Sequence, residues 1–423
     1  MISKIKKIHY KNSDTAMTMA WEHYPVTTFA SKTINGKRVE SIDLLRGIVM
    51  IIMALDHVRD YFHRDAFLYD PADLTKTSIS LFFTRFITHY CAPVFVFLAG
   101  VSAYLYGLKK SRKELCFFLL TRGVWLVFAE LFIVSLFRTF NPSYTYLNLQ
   151  VIWAIGICMI ILSAIIYMPK LTILLTGVIL LAAHNMLDTV HVQGNNLPSF
   201  LWSVLHDANH FIFGRFNVYV HYPLLSWMGV MTLGYYTGSL YAPGYDFVKR
   251  KKVLLLTGIA AIVLFIILRS GNLYGDAATW SVQKDSVFSF LSFLNVTKYP
   301  PSLLYILITL GPALLFLAFA EKPLNTLTKK IAVFGRVPMF YYLAHILLIH
   351  ILASIAALIT GYPAMIVLNN GVNATPELKG YGFDLSTVYL VWIGLILFLY
   401  PCCKWFDRYK KINQSKKWWL SYL

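Results

Sequence analysis

Residues 41–63, SIDLLRGIVMIIMALDHVRDYFH, form an apolar run that also carries acids, arginines and histidines. The core of a bilayer is about 30 Å thick, and roughly 20 apolar residues of helix are needed to cross it. An ionisable side chain inside such a helix costs roughly 3 kcal/mol on insertion scales, so its presence indicates a functional role. The segment therefore predicts a membrane-spanning helix that contributes to a polar site.

Further apolar runs of similar length follow along the chain. Because lipid offers no partners to unpaired backbone groups, runs of this kind are expected to be helical. We predict an all-α polytopic membrane protein with about ten transmembrane helices. The predicted spans are 42–63, 81–107, 114–137, 149–168, 171–189, 223–241, 253–269, 301–320, 331–359 and 386–403.

The composition is typical of a protein inserted in a lipid bilayer. Hydrophobic residues make up 57% of the chain and charged residues only 14%, whereas a soluble domain has about 25% charged residues. The net charge of +18 includes short basic clusters between apolar runs, at 109–113, 249–252, 322–330 and 404–417. Since Lys and Arg favour the cytoplasmic side of a membrane, both termini are predicted to be cytoplasmic, and nucleic-acid binding is not expected.

The segments outside the spans define the predicted domain organisation. Residues 1–40 are a basic cytoplasmic tail without the apolar core of a cleavable signal peptide. Residues 41–406 form one transmembrane domain, and 407–423 form a second basic cytoplasmic tail. The five cysteines show no CxxC spacing, so neither a disulfide framework nor a metal site is predicted. The predicted external loops 190–222 and 270–300 either cap a cavity or pack at the membrane interface.

Arg46 and His57 are eleven residues apart in the first span, which is close to three helical turns. They therefore share one face of the helix and lie roughly 16 Å apart along its axis. A cation near the cytoplasmic end and an imidazole in the outer half suit an elongated anionic ligand such as phosphopantetheine. Asp56 lies about 100° from His57 around the helix. It either raises the basicity of the imidazole and fixes its tautomer, or pairs with Arg59 instead.

Other spans also carry polar residues that are candidates for a site. Arg85 and His89 are four residues apart in the second span and so share a face, and His345 lies near the middle of the ninth. Trp227, in the sixth span, is either an anchor at the membrane interface or a stacking surface for a substrate ring. We predict substrate binding by Arg85, His89, His345 and Trp227, with hydrogen-bonded packing as the alternative. Further polar residues in or beside the spans are Arg122, Glu130, Arg336 and His350.

Three segments show a resemblance to a known family. They are RVESIDLLRGIVMIIMALDHVRDYF at 38–62, RFITHYCAPVFVFLAGVSAYLYG at 85–107 and FGRVPMFYYLAHILLIH at 334–350. This chain resembles the bacterial relatives of heparan-alpha-glucosaminide N-acetyltransferase, in the wider transmembrane acyltransferase superfamily. The resemblance covers about residues 38–403. It implies transfer of an acyl group, acetyl in the first instance, from cytoplasmic acyl-CoA to an envelope glycan or glycolipid across a bacterial inner membrane.

The resemblance also implies roles for particular residues. Related envelope O-acyltransferases have an Arg, ten residues and then a His in the first span, which matches Arg46 and His57. By this resemblance, His57 is catalytic and Arg46 holds the CoA, and Arg122 looks like a third-span arginine that binds the acyl donor. The animal lysosomal enzyme instead has an asparagine in the first span and a histidine in the following loop. Here Asp56 and His57 occupy that region, with His63 as a candidate for the loop histidine, so the glucosamine specificity is not carried over.

Three functional hypotheses follow from these observations. The first is an acyltransferase in which His57 is the general base and Asp56 its neighbour, with acyl-CoA as co-substrate and no metal. The second is a proton-coupled transporter that relays protons through Asp56, His57, His89 and His345. The third is a membrane scaffold without catalysis, which the buried charges disfavour. The expected partners are the bilayer, acyl-CoA and the acceptor, and a homodimer remains open alongside a monomer.

Overall fold

The computed structural model describes residues 39–362, 378, 380–413 and 416–421. The predicted amino-terminal tail, 1–40, lies outside the described residues except for its last two positions. A π-helical turn spans Ala129–Val134. The α-helices are α1 Glu40–Phe62, α2 Ile79–Thr88, α3 Cys91–Gly107, α4 Arg112–Phe128, α5 Ser135–Thr139, α6 Val151–Ile165, α7 Lys170–Ala183, α8 Leu197–Leu205, α9 Leu224–Gly238, α10 Phe247–Ser270, α11 Ser286–Leu294, α12 Leu303–Phe319, α13 Thr326–Arg336, α14 Pro338–Ile359 and α15 Leu385–Asn413.

Every predicted span is helical over most of its length in the described chain. Six helical segments are long and apolar enough to cross a membrane, so the chain has the character of an integral membrane protein. These segments are Ile79–Gly107, Arg112–Thr139, Lys170–Leu187, Phe247–Ser270, Pro338–Ile359 and Leu385–Asn413. The other four predicted spans coincide with α1, α6, α9 and α12, which are shorter or richer in charge. Ten crossings and inward-facing termini therefore stay predictions.

The ninth predicted span, 331–359, was wrong as a single helix. α13 ends at Arg336, Val337 leaves the helical region with φ −127° and ψ 52°, and Pro338 begins α14. A proline disfavours the helical conformation at the preceding residue and has no N–H to donate. The break lets α13 turn away and pack along α1.

A small β-sheet departs from the predicted all-α class. Strands β2 Asn209–Phe213 and β3 Phe216–Val220 form an antiparallel hairpin, and β1 Tyr146–Leu149 pairs in parallel with β3. Gly214, with φ +59°, allows the two-residue turn between β2 and β3. The backbone N–H groups of His221 and Tyr222 then donate to the carbonyl of Leu149. The sheet thereby fixes the chain just before α9.

The helix with the most charged residues, α1, is also among the most buried. It packs against α3, α13, α14 and α15. Gly47 of α1 and Gly335 of α13 lie so close that a Cβ atom on Gly335 would overlap the backbone carbonyl of Asp43. This close approach brings the Gly335 carbonyl within reach of the Arg46 side chain.

Candidate active site

Two adjoining cavities lie beside α1. The larger, here called the His57 cavity, has a volume of about 680 Å³, and the smaller, the Arg46 cavity, has a volume of about 320 Å³. Both are lined by Met53, Phe95, Val151 and Tyr342, which separate them. Arg46 and His57 therefore face adjoining spaces along one helix, as their spacing predicts.

The Arg46 cavity combines cations with an apolar lining. Its cationic residues are Arg46, Arg122, Arg336 and Lys410, and methionines, aliphatic side chains and aromatic rings form most of the remainder. The Arg46 guanidinium donates to Ser102 Oγ at 2.8 Å and to the Gly335 carbonyl at 3.2 Å, and lies 3.5 Å from Asp43. α1, α3 and α13 thus hold the guanidinium in place. Cations around an apolar pocket suit the phosphates and pantetheine arm of a CoA thioester.

The side chain of His57 is held by a second histidine. His57 Nδ1 lies 2.8 Å from His345 Nε2, and His345 Nδ1 lies 2.8 Å from the Tyr341 carbonyl. A carbonyl only accepts, so the proton of neutral His345 sits on Nδ1 and its Nε2 is an acceptor. His57 must then donate from Nδ1, which leaves the lone pair of its Nε2 available.

Arg138 confirms this tautomer from the other side of the ring. Its Nη2 lies 3.3 Å from His57 Nε2, and a guanidinium only donates. Two contacts fix the backbone here, because the Tyr61 hydroxyl donates to the Arg138 carbonyl at 3.1 Å and His350 Nδ1 donates to the Phe137 carbonyl at 2.9 Å. The sequence-based prediction did not include Arg138, because this residue lies one position beyond the predicted span 114–137.

Asp56 contacts neighbouring cations rather than His57. Its carboxylate lies 2.7 Å from Arg59 and 3.3 Å from Arg85, and it accepts a hydrogen bond from Thr88 at 2.8 Å. Lys298 Nζ is 4.0 Å away. The predicted pairing with Arg59 is confirmed, and the tautomer of His57 is set by His345 instead of Asp56.

The four predicted substrate-binding residues fall into two groups. Arg85 lines the His57 cavity. His345 and His89 are buried and line neither cavity, and Tyr305 packs edge-on against His89. Trp227 is fully buried and stacks on Tyr222 with ring centroids 5.3 Å apart, so its prediction as an interfacial anchor was wrong. None of these three residues therefore lines either cavity.

The predicted external loops contribute another part of the wall. Four of their residues line the His57 cavity, as the capping alternative predicts, and these are His221, Tyr222, Lys298 and Tyr299. Burial, followed by the charges of Lys298, Arg85 and Arg138, lowers the pKa of His221 to about 3. Burial alone would raise the pKa of Tyr299, but Lys298 and Arg85 outweigh it and lower the pKa.

Two other acidic or basic groups near the site have structural partners. The carboxylate of Glu130, in the π-helical turn, accepts from the backbone N–H groups of Ile152 and Trp153 at 3.1 and 3.2 Å and so caps the start of α6. His63, the candidate loop histidine, caps the end of α1, and its Nδ1 accepts from the Asp65 N–H. Among the described residues, no group of three or more His, Cys, Asp or Glu is arranged to hold a metal ion.

A comparison with protein families gives one match. The family model described as "Heparan-alpha-glucosaminide N-acetyltransferase, catalytic" matches residues 38–273, more than half of the 423 residues. The matched region contains Arg46, Asp56, His57, Arg122 and Arg138, whereas His345 lies beyond it. A search of curated proteins gave no match.

Proposed function

The chain belongs to the heparan-alpha-glucosaminide N-acetyltransferase family, and on this basis we propose that it transfers an acyl group, in the first instance acetyl, from acyl-CoA to a sugar or glycolipid on the outer side of a bacterial inner membrane. The main support is the position of His57. It presents an unprotonated Nε2 to a large cavity that adjoins a second, cation-lined cavity. A base beside one cavity and cations around the adjoining cavity support a reaction in which the thioester of the donor reaches the base.

The Arg46 cavity is proposed to hold the donor. Arg46, Arg122, Arg336 and Lys410 would pair with the phosphates of CoA, and the apolar lining would accept the pantetheine arm. The thioester would then reach the side chains shared by the two cavities, close to His57. The acceptor would enter the His57 cavity, whose wall includes Lys298 and Tyr299.

In the proposed chemistry, His57 is the general base. Its Nε2 removes a proton from the acceptor amine or hydroxyl as the nucleophile attacks the thioester carbonyl carbon. The new C–N or C–O bond forms, the C–S bond breaks, and the imidazolium returns the proton to the departing thiolate. Arg138, which otherwise donates to Nε2, would turn its N–H groups to the oxyanion of the tetrahedral intermediate. His345 is a positioning residue that keeps the Nδ1 proton in place.

The experiment is an acyl-transfer assay on purified protein reconstituted in liposomes. Labelled acetyl-CoA is supplied with a panel of amino sugars and glycolipids, and labelled acceptor and free thiol are measured together. His57→Ala is expected to lower transfer at least 100-fold, because general base catalysis contributes about 10²–10⁴. His191→Ala, in an exposed part of the outer loops, is the matched control and should retain activity.

Two results would contradict the proposal. One is full transfer by His57→Ala. The other is acyl-CoA-independent flux of a substrate across the liposome membrane without any transfer, which would indicate a transporter.

A further inference from the structure

A charged groove lies on the protein surface between α13 and the end of α15. It has a volume of about 340 Å³ and is separate from the two cavities, sharing only Arg336 with the Arg46 cavity. Cations on both helices line it, and these are Lys329, Lys330, Arg336, Lys404, Arg408 and Lys411. We refer to this feature as the basic groove.

The basic groove is lined by six cationic residues but by only one acidic residue, Asp407. Asp407 accepts hydrogen bonds from Arg336 Nε at 2.9 Å and from Lys411 Nζ at 2.8 Å, so these two cations are paired with an acid. The side chains of Lys329, Lys330, Lys404 and Arg408 are exposed, and no hydrogen bond or ion pair engages any of them within the described part of the chain. Four like charges around one concave surface favour a ligand with a phosphate or another dense anion.

The position of the groove on α15 indicates the source of that anion. α15 has 29 residues and is therefore roughly 43 Å long, more than the roughly 30 Å of hydrocarbon in a bilayer. Leu397 and Phe398 precede the groove and are 69% and 62% exposed, and Trp405 beside it is 61% exposed. Tryptophan favours the headgroup level of a membrane. These features are expected to place the groove where lipid headgroups meet water, with exposed apolar side chains beside it for acyl chains.

We propose that the basic groove is a binding site for the phosphate headgroup of an anionic membrane lipid. The headgroup phosphate pairs with Lys404 and Arg408 of α15 and with Lys329 and Lys330 of α13. The acyl chains lie along Leu397 and Phe398. The site tethers α13, which packs on the Arg46 segment of α1, to the lipid surface.

The experiment measures lipid binding by native mass spectrometry on the full-length protein in detergent. Phosphatidylglycerol is titrated against phosphatidylcholine, inorganic phosphate and coenzyme A. The variant Lys404→Gln/Arg408→Gln is expected to bind phosphatidylglycerol about tenfold more weakly, and phosphatidylcholine should bind poorly to every form. The matched control is Lys249→Gln/Lys252→Gln, which removes two exposed lysines from the basic cluster of α10 and should leave binding unchanged.

The charge-preserving variant Lys404→Arg/Arg408→Lys should bind as the unmodified protein does, and thermal unfolding without lipid should be the same in all forms. Equal weakening in the α10 control would overturn the proposal, because it would indicate general attraction to a basic protein. Displacement of phosphatidylglycerol by coenzyme A at equimolar concentration would also overturn it, because the groove would then belong to the nucleotide end of the donor site.

Discussion

The rings of His57 and His345 lie nearly parallel, at an interplanar angle of 8° with centroids 5.0 Å apart, and a 2.8 Å hydrogen bond joins them. His345 is fully buried, and its other nitrogen is bound to the carbonyl of Tyr341. The protein backbone therefore determines, through His345, which nitrogen of His57 carries the proton. In the proposed reaction this keeps a lone pair directed at the His57 cavity.

Replacing His345 should impair the chemical step more than donor binding. In His345→Leu, His57 loses the acceptor for its Nδ1–H, and we expect kcat to fall about 100-fold with little change in the KM for acetyl-CoA. His345→Gln should recover part of the rate, because its side-chain oxygen also accepts. Steady-state kinetics with a thermal unfolding control test this. A large rise in KM at constant kcat would show that His345 acts on donor binding instead.

Replacing Arg46 should have the opposite kinetic signature. Its guanidinium lines the Arg46 cavity and is held by Ser102 and Gly335. Loss of a charge-assisted contact of 1.5–3 kcal/mol predicts that Arg46→Ala raises the KM or Kd for acetyl-CoA about 10- to 100-fold. Calorimetric titration with acetyl-CoA measures the Kd. Arg215→Ala, on the exposed hairpin, is the control. Unchanged affinity in Arg46→Ala would remove Arg46 from the donor site.

The helices and part of the site follow from the sequence. Lipid forces long apolar runs into helices, so every predicted span is mostly helical, although the break at Val337 was not predicted. Helical periodicity alone places Arg46 and His57 on one face. The prediction could not include Arg138 or Lys298, because both lie outside the predicted spans. A charged residue outside a span has no insertion cost, so its presence there does not indicate a functional role. Arg138 and Lys298 reach the His57 cavity only because the segments between the predicted spans fold against it.

The roles of individual aromatic and histidine residues were less predictable. Trp227 and His89 line neither cavity, whereas Tyr222 and Tyr299 line the His57 cavity. All four have a similar character in the sequence. What distinguishes them is which side of a helix or strand faces another element, and that is set by long-range packing such as the pairing of β1 with β3.

Asp56 should be more important for stability than for the basicity of His57. It neutralises Arg85 and shares Arg59 with Asp60 in a buried cluster, and removing one partner of a buried ion pair costs about 3–5 kcal/mol. Asp56→Ala should therefore lower the unfolding temperature in detergent markedly, while His57→Ala should change it little. Comparison of the two unfolding curves tests this. An Asp56→Ala protein as stable as the unmodified chain would contradict the ion-pair role.

Acidification should destabilise the protein through His221. Its pKa is lowered in the folded state to about 3 from an ordinary 6.5, chiefly by burial, so the unfolded chain binds a proton that the folded chain does not. Stability is then complete above pH 6.5 and is lost progressively as the pH falls from 6.5 towards 3. His221→Asn should unfold with a shallower pH dependence between pH 7 and 5. Parallel slopes for the two proteins would exclude this contribution.

The residues shared by the two cavities should determine which acyl chains are used. Phe95 lines both the Arg46 cavity and the His57 cavity, so under the proposed function the acyl group of the donor passes its ring on the way to His57. Phe95→Ala removes most of that ring, and each methylene accommodated in an apolar pocket changes specificity about 10- to 200-fold. The ratio of kcat/KM for butyryl-CoA to that for acetyl-CoA should therefore rise at least tenfold. Phe83→Ala, on an exposed position of α2, is the control. If both variants keep the original ratio, the donor reaches His57 by a route that does not pass Phe95.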